Sequence, residues 1–330
     1  MNKIAIVTGG AGFIGSHCVD LLLKNNYKVR IIDNLVGGNE KNLDHLKKSK
    51  IEFEKKDIRS IKPNDKIFKD AELVFHFAGI GDIVPSINYP SDYMSVNVQG
   101  TVNILESCRY WQSIKKFVYA ASSSCYGKAN IPTNEKNEIN PLYPYALSKY
   151  NGEQVSLHWN KVYKMPINSI RIFNAYGVRS RTTGAYGAVF GVFLKQKLSK
   201  KPFTVVGDGN QKRDFLYVTD VVKAFYLAAI SKFNGEIWNL GAGKPQSINK
   251  LVELLSGEVV YIPKRPGEPD ITYADITKIS NQLKWKADIT FEQGINIILE
   301  NINYWTDAPL WDENMIKNET KDWFKYLNGV

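Results

Sequence analysis

A glycine-rich turn at residues 8–15 constrains this chain more than any other feature of its sequence. The turn reads Thr-Gly-Gly-Ala-Gly-Phe-Ile-Gly, follows a short apolar run and leads into a helix-like pattern at residues 14–25. Glycines at three-residue intervals permit a tight turn, close approach of the backbone to a pyrophosphate, and close packing of helix on strand. Gly9, Gly12 and Gly15 therefore predict a dinucleotide-binding βαβ unit.

Apolar runs typical of buried strands alternate with helix-like segments over the first half of the chain, which favours a parallel sheet covered on both faces. The length of 330 residues, 44% of them hydrophobic, suffices for two joined lobes. We predict an α/β fold, with a Rossmann-type doubly wound parallel sheet at 1–176 and a smaller, interleaved α/β substrate lobe at 177–330. A strand returns to the first sheet near 235–241. The predicted strands lie at 4–7, 29–32, 73–77, 117–120 and 167–173, and the predicted helices at 14–25, 92–112, 145–163, 218–231 and 248–256.

An acidic residue follows the glycine turn near the offset expected of a ribose ligand. Asp33 lies 18 residues after Gly15, at the end of the second apolar run. A carboxylate there accepts hydrogen bonds from ribose hydroxyls and repels a 2′-phosphate, which favours NAD over NADP. A structural turn with a solvent-facing Asp is the alternative. Asp57 is a candidate for the adenine edge, and an ordinary turn residue explains it nearly as well.

One Tyr-x-x-x-Lys pair, Tyr145 and Lys149, begins the predicted helix at 145–163, downstream of an apolar strand that ends in Ser122. Its i, i+4 spacing puts both side chains on one helix face. A free phenol has a pKa near 10, but a nearby ammonium and a positively charged nicotinamide both favour the phenolate. We predict Tyr145 as the general base, with Lys149 also holding the nicotinamide ribose and Ser122 bonding the same substrate oxygen. An interfacial tyrosine and a strand-end cap are the alternatives.

Composition argues against several other classes of protein. The net charge of +10 comes from scattered lysines without a nucleic-acid-binding motif, so no nucleic-acid partner is expected. The apolar N-terminal stretch ends at Gly9, and no run approaches the roughly 18 apolar residues of a membrane span, so we expect a soluble, cytoplasmic protein. The cysteines and histidines lack metal-ligand spacing, which predicts no metal site and four structural histidines. These residues are Cys18, Cys108 and Cys125, and His17, His45, His76 and His158.

Together the motifs resemble the extended short-chain dehydrogenase/reductase family, and within it the NAD-dependent nucleotide-sugar enzymes of the UDP-glucose 4-epimerase group. The resemblance covers nearly the whole chain and implies a homodimer with NAD as cofactor and, by association, a role in polysaccharide biosynthesis. It rests on TGGAGFIG at 8–15, IIDN at 31–34, HFAG at 76–79, Asn97 with Gly100-Thr101, SSSCYG at 122–127, YALSK at 145–149, RIFNAYG at 171–177, GDGNQKRDFLYVTDV at 207–221 and RPGEPD at 265–270.

The resemblance also implies a set of ligand-binding residues. The cofactor contacts implied by the turn, the acid and the family motifs are Gly9, Gly12, Phe13, Ile14, Gly15, Asp33, Asn34, Asp57, Ile58, Phe77, Ala78, Gly79, Asn97, Tyr145 and Lys149. The implied substrate contacts are Ser122, Ser123, Asn174, Arg213, Arg265, Glu268 and Thr272. Among these, Arg213 and Arg265 would hold the diphosphate and Glu268 would lie near the nucleotide ribose. Spacing alone would make both arginines ordinary surface residues.

The residues after Ser122 favour an epimerase over a dehydratase. Sugar 4,6-dehydratases resemble one another in carrying Asp and Glu there, whereas this chain has Ser123 and Ser124, which do not titrate usefully near neutral pH. A 4-epimerase of UDP-glucose or its N-acetylated counterpart needs no further acid or base. Thr272 stands where epimerases restricted to glucose and galactose tend to have Tyr, which suggests room for a 2-acetamido group. Related epimerases often carry Lys where this chain has Gly81.

Two other readings stay open from the sequence. One is another NAD-linked conversion of a nucleotide sugar, such as a dehydration or an epimerisation at a different carbon. The other is a non-catalytic dinucleotide sensor, although such relatives can lose the Tyr or Lys that this chain keeps. The aromatic-rich segment from residue 305 onward is expected to pack on the substrate lobe.

Overall fold

A seven-stranded parallel sheet forms the centre of the computed structural model, which describes residues 3–181 and 189–328. The strands are β1 Ile4–Thr8, β2 Lys28–Asp33, β3 Ile51–Lys55, β4 Leu73–His76, β5 Lys116–Ser122, β6 Ile167–Ile172, β7 Asn174–Tyr176, β8 Phe203–Val206, β9 Lys212–Arg213, β10 Phe215–Tyr217, β11 Ile237–Leu240, β12 Gln246–Ser247 and β13 Val259–Ile262. The strand order of the large sheet is β11-β6-β5-β4-β1-β2-β3. The order reverses between β1 and β4, and ligands of such sheets bind at the carboxyl ends of the strands beside that point.

Helices cover both faces of the sheet. They are α1 Phe13–Lys24, α2 Pro90–Met94, α3 Thr101–Trp111, α4 Pro144–Tyr163, α5 Val189–Leu198, α6 Val218–Ile230, α7 Ile248–Leu255, α8 Thr277–Leu283, α9 Phe291–Glu300, α10 Glu313–Glu319 and α11 Lys321–Leu327. Buried side chains of α1, α6 and α8 share an apolar core with one face, and those of α3 pack with the other face, which α4 also covers. The predicted doubly wound α/β fold is therefore confirmed. Within the described residues, no helix is long and apolar enough to cross a membrane.

A second apolar core lies mostly among elements of the C-terminal half of the chain. The ring of Tyr176 stacks on that of Phe190, and Phe215 stacks on Phe291, while buried residues of α7 and α11 join the same cluster. Three two-stranded sheets, β7 with β10, β9 with β12 and β8 with β13, belong to this part of the chain. The chain also returns to the large sheet, because β11 pairs in parallel with β6 and α6 packs on the first core.

Two predicted elements differ from those observed. The helix expected at 92–112 is divided into α2, a π-helical turn at Ser95–Gly100, and α3. Gly100 lies in that turn against Ile58, where an added Cβ would come within 2.5 Å of the Ile58 side chain. The strand expected at 167–173 ends at Ile172, and β7 then pairs with β10 instead of continuing in the large sheet. Each interruption lies at a contact with a distant segment, Ile58 in the first case and β10 in the second. Hydrophobic periodicity does not record such contacts.

Candidate active site

A cavity of about 1000 Å³ opens at the carboxyl edge of the large sheet and continues between elements that belong to the second apolar core. Its volume is at the upper end of the range for single-ligand pockets. The glycine turn and the segments after β2, β4 and β5 line one part of it, and β7, β8 and the loop at 265–272 line the other. Every predicted cofactor and substrate residue lines this cavity except Asn97.

The glycine turn is shaped by contacts that leave no space for side chains at its two ends. Gly9 has φ +69°, and an added Cβ would lie 2.7 Å from the backbone nitrogen of Ala78. At Gly15 an added Cβ would lie 2.1 Å from the Gly9 carbonyl oxygen. The turn thus stays close to the start of α1, whose exposed N–H groups suit a pyrophosphate.

Asp33 ends β2 directly beside the glycine turn. One carboxylate oxygen accepts a hydrogen bond from the backbone N–H of Ala11 at 3.0 Å, and the other from that of Leu35 at 2.8 Å. Burial raises the pKa of Asp33, and the two backbone donors oppose that rise. The side chain is therefore held in place at the position from which a ribose would be bound.

The predicted adenine-edge residues form a small polar cluster next to Asp33. The Asn34 amide donates to the Asp57 carboxylate at 3.0 Å, and Arg59 donates to both oxygens of Asp57, at 3.0 and 2.8 Å. The Arg59 hydrogen bonds lower the pKa of Asp57 to about 2, against a smaller opposing effect of burial. Asp57 faces the cavity but is engaged by a cation, a partner that the sequence pattern did not indicate.

Asn97, which the resemblance assigns to the cofactor site, is buried beside the cavity and is not among the residues that line it. Its amide accepts from the backbone N–H of Ile80 at 2.8 Å and donates to Ser148 Oγ at 2.9 Å. Ser148 in turn donates to the Tyr145 carbonyl oxygen at 2.8 Å. Asn97 therefore joins the loop after β4 to the first turn of α4. The sequence motif marked the position of Asn97 but did not indicate that its side chain joins these two segments.

The predicted catalytic trio is brought together by β5 and α4. Ser122 is the last residue of β5, its Oγ accepts from the Ser124 N–H at 3.2 Å, and it is hydrogen-bonded to the Tyr145 phenol. Pro144 occupies the first turn of α4, where its missing N–H costs little, so Tyr145 lies at the helix start. Lys149, one turn later, is buried with Nζ 4.7 Å from the centre of the Tyr119 ring.

Burial dominates the electrostatics of the trio. Burial raises the pKa of the Tyr145 phenol, the Ser122 hydrogen bond opposes that rise, and the Asp82 carboxylate adds to it. Among the protein's own groups desolvation therefore dominates, and the effect of a nicotinamide charge on this phenol stays a prediction. Burial also lowers the pKa of Lys149 to about 8, although Glu153 raises it.

Five of the predicted substrate residues form two polar groups that line the cavity away from the glycine turn. Glu268 forms ion pairs with Arg213 at 3.5 Å and with Arg265 at 2.9 Å. The Thr272 hydroxyl donates to the Asn174 side-chain oxygen at 2.7 Å. Two guanidinium groups that share a single carboxylate keep a net positive charge, which suits phosphate oxygens.

Three further cavity residues were missed by the sequence reasoning. The Tyr143 ring lies parallel to that of Tyr145, with centroids 6.5 Å apart, and burial raises its pKa. Asp82, after β4, is ion-paired with Arg181, after β7. Tyr143 carries no motif, and the ion pair joins residues far apart in the chain, so no local signal identifies either.

The histidines occupy structural positions in the described residues. His17 contacts the Val178 carbonyl oxygen, His45 pairs with Asp20, and His158 is exposed beside Trp159. His76 is buried at the end of β4.

His76 should make the fold sensitive to acid. Its ring nitrogens lie 2.7 Å from Thr8 Oγ1 and 2.9 Å from Thr101 Oγ1, and burial lowers its pKa from 6.5 to about 3. Below pH 6.5 the unfolded chain therefore binds a proton at His76, whereas the folded protein keeps this imidazole neutral until about pH 3. The stability from this group is complete above that pH and declines by up to about 1.4 kcal/mol per pH unit toward pH 3.

Urea unfolding at pH 7.0 and 5.5 tests this expectation. His76→Gln should shrink the difference in unfolding free energy between the two pH values by about 1 kcal/mol. His158→Gln, at an exposed position, serves as the control and should leave it unchanged. An undiminished pH effect in His76→Gln would exclude His76 as its source.

A doubly wound sheet, a glycine turn at its switch point and a Ser-Tyr-Lys group around one cavity define the class of short-chain dehydrogenase-type enzymes. The chain belongs to the NAD dependent epimerase/dehydratase family, whose model matches residues 5–241. NAD is the cofactor of this family, and the crowded turn beside the helix start and the fixed carboxylate of Asp33 fit a dinucleotide.

Several relatives carry assigned reactions. The chain is 41% identical over 303 residues to a putative UDP-glucose 4-epimerase of Methanocaldococcus jannaschii, covering 89% of this chain and 96% of that protein. Among solved structures, it is similar to a UDP-N-acetylglucosamine 4-epimerase from Methanobrevibacter ruminantium, with TM-score 0.85, 32% identity, and 91% and 99% of the two chains covered. It is equally similar to a UDP-glucuronic acid 4-epimerase from Bacillus cereus bound to UDP-glucuronic acid and NAD, with TM-score 0.85, 32% identity and the same coverage.

Proposed function

We propose that this protein is an NAD-dependent 4-epimerase of UDP-sugars. The observation that carries the proposal is a single cavity in which Ser122, Tyr145 and Lys149 lie between the glycine turn and the paired arginines Arg213 and Arg265. A nucleotide sugar whose diphosphate meets the arginines extends its sugar toward the phenol. Relatives with the same fold act on UDP-glucose, UDP-N-acetylglucosamine and UDP-glucuronic acid, which supports the substrate class.

The chain's own groups provide the proton transfers of the reaction. Tyr145 accepts the proton of the sugar C4 hydroxyl and later returns it, and Ser122 hydrogen-bonds the same oxygen throughout. When bound, NAD supplies the hydride acceptor and donor, together with the positive charge that favours the phenolate. Lys149 is placed to hold the adjoining ribose and to add its own charge. The 4-keto sugar must turn over in the cavity before the hydride returns to its other face.

The absence of an acid-base pair beside Ser122 supports epimerisation over dehydration. Ser123 and Ser124 line the cavity where water elimination would need an acid and a base. A non-catalytic NAD sensor would have no use for a half-buried phenol bonded to Ser122 and accompanied by Lys149. Among the described residues no other cavity group repeats that arrangement.

We assign sugar selectivity to Thr272. Its side chain lines the cavity and bonds Asn174, so a small hydroxyl stands where a bulky phenol would narrow the space. This supports acceptance of a 2-acetamido group as well as a 2-hydroxyl.

The decisive experiment incubates the protein with UDP-, dTDP-, GDP- and CDP-sugars, without added NAD, and identifies products by NMR. We expect interconversion of C4 epimers of a UDP-sugar, the N-acetylated pair included. A 4-keto-6-deoxy product would identify a dehydratase, and NAD binding without turnover would identify a sensor. Turnover of UDP-glucose without UDP-N-acetylglucosamine would refute the assignment of Thr272.

The division into lobes and the oligomeric state are two further proposals. We divide the chain at 1–176 and 177–330, with β11 as the strand that the second part returns to the first. We also propose a homodimer through α3 and α4, where exposed apolar side chains lie on both helices: Tyr110, Leu147, Val162 and Tyr163. Sedimentation velocity should give a dimer mass that Val162→Glu reduces, and a monomeric wild type would disprove the dimer.

All three cysteines are buried free thiols, which supports a cytoplasmic location.

A further inference from the structure

The C-terminal helix α11 packs against the loop at residues 265–268, here called the substrate loop. This loop carries Glu268, the carboxylate that pairs with both arginines. Trp323 of α11 is 1% exposed, and its indole N–H donates to the Pro266 carbonyl oxygen at 2.9 Å. Pro266 directly follows Arg265 in the loop, and Gly267 comes next with φ +74°. An added Cβ at Gly267 would lie 3.6 Å from the Leu327 side chain, so a second residue of α11 lies beside this turn.

Trp323 reaches a second wall of the cavity as well. Its ring lies 5.1 Å from the Tyr143 ring, between centroids, and Tyr143 lines the cavity beside Tyr145. The helix also contacts the segment at Val84–Ile87, which follows β4. One buried indole thus joins the substrate loop to the aromatic wall of the cavity.

The hydrogen bond acts at the middle of the substrate loop. Arg265 and Glu268 flank the bonded carbonyl, and Glu268 holds Arg213 by an ion pair. A shift of the loop at Pro266 would therefore move one guanidinium and release the other. The trio at Ser122, Tyr145 and Lys149 is held by β5 and α4 instead, and does not depend on this bond.

We propose that Trp323 is a positioning residue for the diphosphate end of the substrate site. It acts through the loop at 265–268, which it holds so that Arg213 and Arg265 face the nucleotide sugar. The inference rests on the proposed function, because it assigns the arginine pair to the diphosphate. Its signature is a change in KM with little change in kcat.

Trp323→Phe removes the N–H donor and keeps an aromatic ring against Tyr143. We expect KM for the UDP-sugar to rise roughly three- to tenfold, as for loss of one buried hydrogen bond, with kcat changed by less than about twofold. Isothermal titration with UDP should show a parallel rise in Kd. The pH profile of kcat should be unchanged, because the trio keeps its surroundings.

Trp305→Phe is the matched control. Trp305 is 0% exposed and belongs to the same apolar core, but its indole N–H has no hydrogen-bond partner among residues 3–181 and 189–328. The two substitutions therefore remove the same atoms from buried sites, and only one removes a hydrogen bond to the loop. We expect KM and Kd of Trp305→Phe to match those of the wild type.

Three outcomes would overturn the proposal: unchanged KM and Kd in Trp323→Phe, equal rises in both variants, or a loss of kcat without a rise in KM. If Trp323→Phe does not retain the wild-type Tm, Leu327→Ala, which removes the contact with Gly267, is measured instead and judged by the same three outcomes. Should the wild type turn over no nucleotide sugar, the proposed function fails, whereas the UDP titrations still test the role of Trp323 separately.

Discussion

Tyr145→Phe should lower kcat by about 10²- to 10⁴-fold while the purified protein keeps its NAD. The substitution removes one oxygen, the atom that bonds Ser122 and faces the cavity, and leaves the ring that packs beside Tyr93 and Tyr143. Because no other described group at the trio combines a titratable oxygen with that position, proton removal from the sugar hydroxyl has no substitute. Single-turnover kinetics and the NAD content of the denatured protein measure the two parts of this expectation.

Tyr143→Phe is the natural comparison. Its ring is parallel to that of Tyr145 and lines the same cavity, but its phenol is hydrogen-bonded to Ser124 rather than Ser122. We expect its kcat to fall by no more than about tenfold, as for one lost hydrogen bond. Equal losses in the two variants would mean that the cavity needs both phenols for shape, and the assignment of Tyr145 as the base would be withdrawn.

Gly15→Ala should weaken NAD binding by roughly ten- to a hundredfold or more and reduce activity in proportion. The added Cβ would lie 2.1 Å from the Gly9 carbonyl oxygen and 2.9 Å from Gly10 Cα, so backbone rather than a flexible side chain must move. Moving Gly9 displaces the turn from the start of α1, where the pyrophosphate would be bound. The dinucleotide released on denaturation, measured per protein chain, checks the result.

The control for this change is Gly37→Ala, in the turn after β2. There an added Cβ would have no heavy atom of the described residues within 4 Å. Gly37 also lines the cavity, but no described atom has to move, so this variant should retain more NAD and a higher kcat than Gly15→Ala. Retention of full NAD content by Gly15→Ala would show that the turn does not hold the cofactor in the way its geometry indicates.

The chemistry of the phenol depends on more than the protein's own charges. Burial raises the pKa of Tyr145, the Asp82 carboxylate adds to that rise, and burial lowers the pKa of Lys149 to about 8. The shared hydrogen bond with Ser122 works in the direction that the reaction needs. We expect the positive charge of a bound nicotinamide to favour ionisation of this half-buried phenol.

Local spacing was enough to predict the parts of the site that lie on one element. The glycine turn joins a strand to a helix within a few residues, and Tyr145 and Lys149 share one helix face because of their i, i+4 separation. Asp33 is the last residue of β2, the strand that follows β1 and α1, so it lies within the same βαβ unit. The family motifs extended the prediction to Arg213, Arg265 and Glu268, which the cavity does bring together.

Contacts between distant segments could not be predicted in this way. Asn97 carries a motif-like position but faces Ile80 and Ser148, and Asp82 meets Arg181 only because the segments after β4 and β7 face each other across the cavity. Gly100, the last residue of the π-helical turn at Ser95–Gly100, likewise lies against Ile58, in another element. Periodicity records the face of an element that is buried, not the residue that it will meet.

The amino-acid sequence by itself determined the dinucleotide turn, the order of strands and helices, and the candidates for the reacting groups, since each depends on residues close together in the chain. Only the tertiary structure decided how Tyr145 is shielded from water, which arginines share Glu268, and that Trp323 of the last helix bonds the substrate loop. Those properties arise when solvent is excluded between segments far apart in sequence, and that exclusion sets both the cost of a charge and the value of a hydrogen bond.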